Sequence, residues 1–141
     1  MKEIHVSCAI IIKNDKILLA QRSINMQHPL LFEFPGGKIE INESPEESIQ
    51  REIIEELSCV ITIHEKLPLF RHNYNNRAIV LHPFICHIKS GTAVNLEHHK
   101  IVWSELRKLN TFDWVEADIA IYEYLTQKYT TLKNECFKDD Y

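Results

Sequence analysis

Two short apolar runs open the chain, Val6–Ile12 and Lys16–Ala20, separated by Asn14-Asp15. An Asn-Asp pair between apolar runs suits a tight turn, so the pattern predicts two strands and a hairpin. Positions 23–32 are polar and mixed and include Pro29, which predicts a loop. The spacing then changes. Ile49, Ile53 and Leu57 fall at i, i+4 and i+8 with Ile54 alongside, the apolar stripe of a helix over Ser44–Leu57. Its start is well marked: Ser44 suits the N-cap, Pro45 the first helical position, and Glu47 completes a capping box. Val60–Ile63, Leu67–Tyr74, Ala78–Ile88 and Lys100–Trp103 read as further strands, with a turn at Ser90-Gly91-Thr92. Helical spacing returns over Ala117–Lys128 at Ile119, Ile121, Tyr122 and Leu125, and 131–141 reads as a frayed tail. Strands mix with two helices out of strict alternation, so the expected class is α+β, a mixed sheet between helices.

A chain of 141 residues fits one domain, expected here over 1–130. Hydrophobic residues at 45% and charged residues at 26% are ordinary for a globular protein. The net charge of −4 changes the picture more. Proteins that grip nucleic-acid polymers show a basic surface, so a small phosphorylated ligand is the better expectation. The cysteines, Cys8, Cys59, Cys86 and Cys136, are scattered without a C-x-x-C pair. In a chain of this size that argues against a disulfide framework and for a reducing, cytoplasmic setting. The N-terminus enters a strand pattern at once, and no apolar run is long enough to span a membrane. The pattern does not separate a monomer from a homodimer.

The candidate chemistry lies on the first helix. Glu52, Glu55 and Glu56 stand at i, i+3 and i+4, sharing one arc beside the apolar stripe. Like charges so spaced repel, and an acidic helix is ordinarily just a solvated face. The preceding residues, Glu33-Phe34-Pro35-Gly36-Gly37-Lys38, change that reading. The chain has three glycines, where average usage would give roughly ten, and two of the three are adjacent here. Such sparing use points to unusual backbone angles or close approach at 36 and 37. A Gly-Gly turn also aims carbonyl oxygens, and hard divalent cations take oxygen ligands. His98 and His99 invite a transition-metal reading, but neighbours in a strand point to opposite faces.

The run from Gly37 through Glu43 to Arg51-Glu52-Ile53-Ile54-Glu55-Glu56-Leu57-Ser58-Cys59 resembles the Nudix box. That signature is a Gly, a Glu six later, then Arg-Glu, an aliphatic residue, any residue, Glu-Glu, any residue, Gly and an aliphatic residue. The sequence departs from it at Ser58, where the family has glycine just past the helix end, and Cys59 takes the last aliphatic place. Ala20-Gln21-Arg22, Phe32–Glu40, Glu97-His98 ahead of Trp103, and Val115–Ile119 are similar to the MutT-like branch. Together these cover most of residues 4–128. The fold implied is the Nudix α/β/α sandwich with a mixed sheet.

The resemblance implies a Mg²⁺-dependent hydrolase, with Mn²⁺ a possible substitute, that splits a nucleoside triphosphate into a monophosphate and pyrophosphate by attack of water on the β-phosphorus. It implies that Glu52, Glu55 and Glu56 bind metal with help from the carbonyls at Gly36 or Gly37. Arg51 orients the carboxylates and Glu43 supports the loop. Glu97 is a further ligand or the base, and Glu52 is the other candidate base. Lys38 is expected to meet phosphate. Arg22, Tyr74, Arg77 and Asp118 match positions lining the nucleotide site, and Tyr74 either stacks on a base or packs in the core. The 8-oxoguanine-specific bacterial enzyme has asparagine where this chain has Asp118. An ionised aspartate only accepts, which favours the N4 amino group of cytosine; a protonated one also donates, which admits 8-oxo-dGTP. Two rival readings remain: a Nudix hydrolase of nucleotide sugars or dinucleoside polyphosphates, and a non-catalytic nucleotide sensor. The intact box carboxylates weigh against the sensor.

Overall fold

Asn14 and Asp15 both take left-handed backbone angles, φ 52° and 61°. That is the geometry of a two-residue hairpin turn. It folds β1 (Lys2–Lys13) back onto β2 (Lys16–Gln21), with Lys13 opposite Lys16. The computed structural model describes residues 2–137, and side-chain surroundings through residue 129. The chain continues through β3 (Phe32–Glu33), β4 (Gly36–Lys38), α1 (Pro45–Leu57), β5 (Val60–Lys66), β6 (Phe70–Tyr74), β7 (Arg77–Ser90) and β8 (Lys100–Glu105). Two 3-10 turns, Leu106–Thr111 and Glu116–Asp118, lead into α2 (Ile119–Phe137).

The two long strands β1 and β7 lie parallel at the centre, from Lys2 opposite Arg77 to Ile11 opposite Cys86. The outer edge of β1 is shared by β4 and β2, and that of β7 by β6 and β5, all antiparallel. β8 and β3 extend the sheet from β2. Side chains of β1 alternate between two cores. Cys8, Ile10 and Ile12 meet Ile121, Leu125 and Tyr129 of α2. Ala9 and Ile11 meet Ile49, Ile53 and Leu57 of α1. Burial on both faces explains why β1 reads as a continuous apolar run. The expected α+β class, a mixed sheet sandwiched between helices, is the observed one.

Some boundaries differ. The strand expected over Leu67–Tyr74 starts later, at Phe70 (β6): β5 extends to Lys66, and Leu67 turns inward with its N–H donated to the Pro83 carbonyl at 3.0 Å. α2 runs to Phe137, past Lys128 where the apolar spacing ends. Most of the expected tail is therefore helical, and residues 138–141 lie outside the described residues.

Candidate active site

The helix that carries the acidic residues is capped as its sequence requires. Ser44 Oγ accepts the Glu47 N–H at 3.0 Å, and the Ser44 N–H is donated to Glu47 Oε1 at 2.8 Å. At the other end Ser58 is left-handed, φ 56° and ψ 35°, where a glycine is usual. Between β1 and α1 lies β4, with Gly36 opposite Cys8 and Gly37 opposite Ser7. A Cβ at Gly36 (φ 153°) would collide with the Ser7 carbonyl, and a Cβ at Gly37 would overlap the Glu52 carboxylate. The adjacent glycines thus serve two close approaches, one to a strand backbone and one to an acidic side chain. Behind them the buried hydroxyls of Ser7 and Ser48 lie 2.8 Å apart, and Ser7 Oγ also donates to the Gly37 carbonyl at 3.4 Å.

The three carboxylates of α1 do not behave alike. Glu56 is buried and accepts a backbone hydrogen bond from Gly36, while its Oε1 has no partner among the described residues. Burial, then the neighbouring Glu52, Glu33 and Glu97, push its carboxyl up to about 9. Glu52 is pushed up to about 7, again by burial first; Arg51 opposes the rise and Glu55, Glu97 and Glu43 add to it. Glu55 turns outward and is half exposed, held by Arg51 Nη1 at 3.2 Å. The arc expected to hold all three presents Glu52 and Glu56 to the glycines and leaves Glu55 to the guanidinium. Arg51 also donates two bonds to Glu43, Nε to Oε2 at 2.6 Å and Nη2 to Oε1 at 2.9 Å, and one from Nη2 to the Lys38 carbonyl at 3.2 Å. Those hydrogen bonds, with one from the Glu40 N–H, hold the Glu43 carboxyl down at about 2. Arg51 therefore ties the helix to the loop that precedes it.

The segment between β7 and β8 closes the C-terminal end of α1. Val94 and Leu96 donate their N–H groups to the Leu57 and Glu56 carbonyls at 2.8 and 3.1 Å, satisfying acceptors that a helix end leaves open. This brings exposed Glu97 into electrostatic reach of Glu52 and Glu56, whose carboxyls it helps to raise. His98 and His99 sit in a bend rather than a strand, yet they still diverge: His98 is buried and His99 exposed.

On the other side of the glycines opens a cavity of about 890 Å³. Arg22, Glu33, Lys38, Tyr74, Arg77 and Asp118 line it. Asp118 is buried at its wall, and its Oδ2 accepts the Phe34 N–H at 2.9 Å. Burial, then nearby Glu33, push its carboxyl up to about 8. Arg22 Nη1 donates to Glu33 Oε1 at 2.9 Å, so it reaches the cavity already paired. Tyr74 meets the His72 ring edge-on at 4.5 Å between centroids and lies parallel to His28 at 6.2 Å. It packs among side chains and also faces the cavity.

A helix with two inturned carboxylates, a double-glycine strand beneath them and a nucleotide-sized cavity alongside can be compared with known proteins. Residues 1–125 match the family model of the NUDIX domain. The chain belongs to the Nudix family. It is similar to the CTP pyrophosphohydrolase of Escherichia coli strain K12, 36% identical over 123 residues, 87% of this chain and 91% of that protein. It is also similar to the 8-oxo-dGTP diphosphatase of the same organism, 30% identical over 122 residues, 84% and 92% of the two chains. Among solved structures it resembles the E. coli ORF135 protein, with a TM-score of 0.79, 34% identity, and 96% and 94% of the two chains covered.

As a Nudix hydrolase the protein is an enzyme of phosphoanhydride bonds that acts on small nucleotides with a divalent metal. The donor set suits such an ion. No three His, Cys or acidic side chains among the described residues converge as a ready-made cage. What the structure offers is the unpartnered Glu56 Oε1, Glu52 beside it and a backbone of glycines, all oxygen donors. A hard cation that keeps water and takes phosphate oxygens needs little more. No described helix is long and apolar enough to cross a membrane. Two residues at the site, Glu33 and His98, had no role assigned from sequence. Glu33 lies inside the quoted Phe32–Glu40 run, and its place beside the glycines was the available signal.

Proposed function

We propose that this Nudix protein is a Mg²⁺-dependent nucleoside triphosphate pyrophosphohydrolase acting on cytosine-type or oxidised nucleotides such as 8-oxo-dGTP. The observation that carries the reading is the shared wall of Gly36 and Gly37, with Glu52 packed against one side and the Asp118 cavity on the other. A nucleotide whose base enters the cavity has its phosphates at the carboxylates. When bound, Mg²⁺ (or Mn²⁺ in its place) neutralises phosphate charge and acidifies nearby water. Glu52, Glu56 and the backbone at Gly36 and Gly37 would hold it, with Glu97 adding a carboxylate from the opposite loop. Glu55, paired with Arg51 on the same helix, would join them as a third helix carboxylate. Glu52 or Glu97 takes the proton of the attacking water. The new P–O bond forms at the β-phosphorus as the bond from that phosphorus to the α–β bridging oxygen breaks, so the monophosphate leaves and pyrophosphate carries the water oxygen. Lys38 and Arg77 meet the phosphates at the cavity edge, Tyr74 flanks the base and Arg22 holds Glu33. The sequence and the bacterial relatives also fit a cytoplasmic enzyme.

The test is release of pyrophosphate from CTP, dCTP, 5-methyl-dCTP, 8-oxo-dGTP, dGTP, ADP-ribose and a nucleotide sugar, with Mg²⁺ and with EDTA. Metal-dependent release from the triphosphates is expected. Turnover confined to the diphosphate-linked compounds, seen as monophosphate products, would overturn the substrate assignment.

A further inference from the structure

His98 stands apart from the other histidines. Its side chain is 3% exposed, and its Nε2–H donates to Glu33 Oε2 at 2.9 Å, since a carboxylate only accepts. Its Nδ1 is buried with no hydrogen-bond partner among the described residues. Its own backbone is clamped on both sides by one residue: Asn95 Oδ1 accepts the His98 N–H at 2.9 Å, and Asn95 Nδ2 donates to the His98 carbonyl at 2.8 Å. The residue before it is Glu97. Glu33 in turn gives its other oxygen to Arg22 and stands close enough to Asp118 and Glu56 to raise both carboxyls. A single buried ring thus joins the acidic loop to Glu33, a carboxylate that lines the cavity and stands near Glu56.

We propose that His98 is a positioning residue that anchors the loop bearing Glu97 to Glu33, fixing where Glu97 stands over α1. This rests on the functional reading above only for its effect on turnover; the anchoring itself is a property of the chain. Without the ring the loop keeps its backbone bonds from Val94 and Leu96 to α1 and from His99 to the Gln21 carbonyl, and the Asn95 clamp on the backbone of residue 98. It loses the one side-chain bond that, among the described residues, ties it to Glu33. The fold should survive while the segment bearing Glu97 gains mobility relative to Glu33. Because Glu97 serves the chemical step rather than base binding, the loss falls on kcat.

The test compares His98→Leu, His98→Gln and His98→Asn in the full chain. Glutamine carries an amide N–H to about the place of Nε2, whereas asparagine reaches only as far as Nδ1. In the metal-free protein, amide hydrogen exchange over 94–99 should quicken at least tenfold in His98→Leu and His98→Asn and return towards wild type in His98→Gln, with α1 unchanged. In Mg²⁺-dependent turnover, kcat should fall tenfold or more in the first two with nucleotide KM within about twofold, and His98→Gln should recover most of it. Unchanged exchange over 94–99 in His98→Leu would overturn the anchoring. A shift in KM with kcat intact would overturn the link to Glu97 and make His98 a base-side support instead. If wild-type protein releases no pyrophosphate, the functional reading fails while the exchange measurement still decides the anchoring.

Discussion

Gly37 and the Glu52 carboxylate occupy adjoining space with no room for a methyl group between them. The contact converts a glycine in β4 into a gauge for a side chain on α1. Replacing Gly37 by alanine should force Glu52 aside by an ångström or so. Displacements of that size at a reacting centre cost roughly 10²-fold in rate. The expected result is a fall of that order in kcat with an unchanged far-ultraviolet circular dichroism spectrum. Turnover within threefold of wild type would show that Glu52 need not stand where Gly37 puts it.

The buried carboxylates make the metal-free protein weaker in alkali. Above pH 4.5 an unfolded chain releases the protons of Glu52 and Glu56, whereas the folded chain retains them to about 7 and about 9. In that window the native state binds more protons, so stability falls as pH rises. Melting temperature in EDTA should decline from pH 5 to 9, and Mg²⁺ should reverse the decline by binding the charged forms. Glu56→Gln should flatten the decline, weaken the Mg²⁺ effect and cut kcat by at least 10²-fold. A variant as alkali-sensitive and Mg²⁺-responsive as wild type would remove Glu56 from this account.

Asp118 offers different chemistry on either side of pH 8. Below it the neutral carboxyl both donates and accepts; above it the carboxylate only accepts, which suits the amino group of cytosine. The ratio of kcat/KM for CTP to that for 8-oxo-dGTP should therefore rise between pH 6.5 and 9. Asp118→Asn should abolish that dependence and favour 8-oxo-dGTP. Parallel pH profiles for both nucleotides in wild type and variant would mean that Asp118 does not read the base.

Ser58 pays a conformational penalty at the end of α1. A left-handed backbone costs an L-residue about 1–2 kcal/mol, part of which glycine returns as unfolded-state entropy. Ser58→Gly should be neutral or raise the melting temperature by about 2–4 °C. A clear drop would show that the serine hydroxyl contributes something the backbone angle does not reveal.

The helix carrying the chemistry was legible because its signals are local. Ser44, Pro45, Glu47 and the Ile49, Ile53, Leu57 stripe act within one element, and the rarity of glycine flagged 36 and 37. Arg51 hydrogen-bonds Glu43 and Glu55, one on the preceding loop and one a helical turn on. The outward turn of Glu55 is also local: at roughly 100° per residue Glu56 lies nearest the Ile49, Ile53, Leu57 stripe, Glu52 next and Glu55 almost opposite it, the order in which they are buried. The bond between Glu33 and His98 was not legible, because it joins residues 65 apart in sequence through strands β2, β3 and β8.

The cap that Val94 and Leu96 place on α1 also sets an order of events. A chain synthesised only as far as residue 93 has the glycines and the acidic helix, but it lacks the donors that finish the helix and the acid that crowds Glu52 and Glu56. The central strand pair, β1 and β7, is therefore complete in sequence before the residue that adds the last carboxylate to the cluster, whereas β8 and α2 follow it.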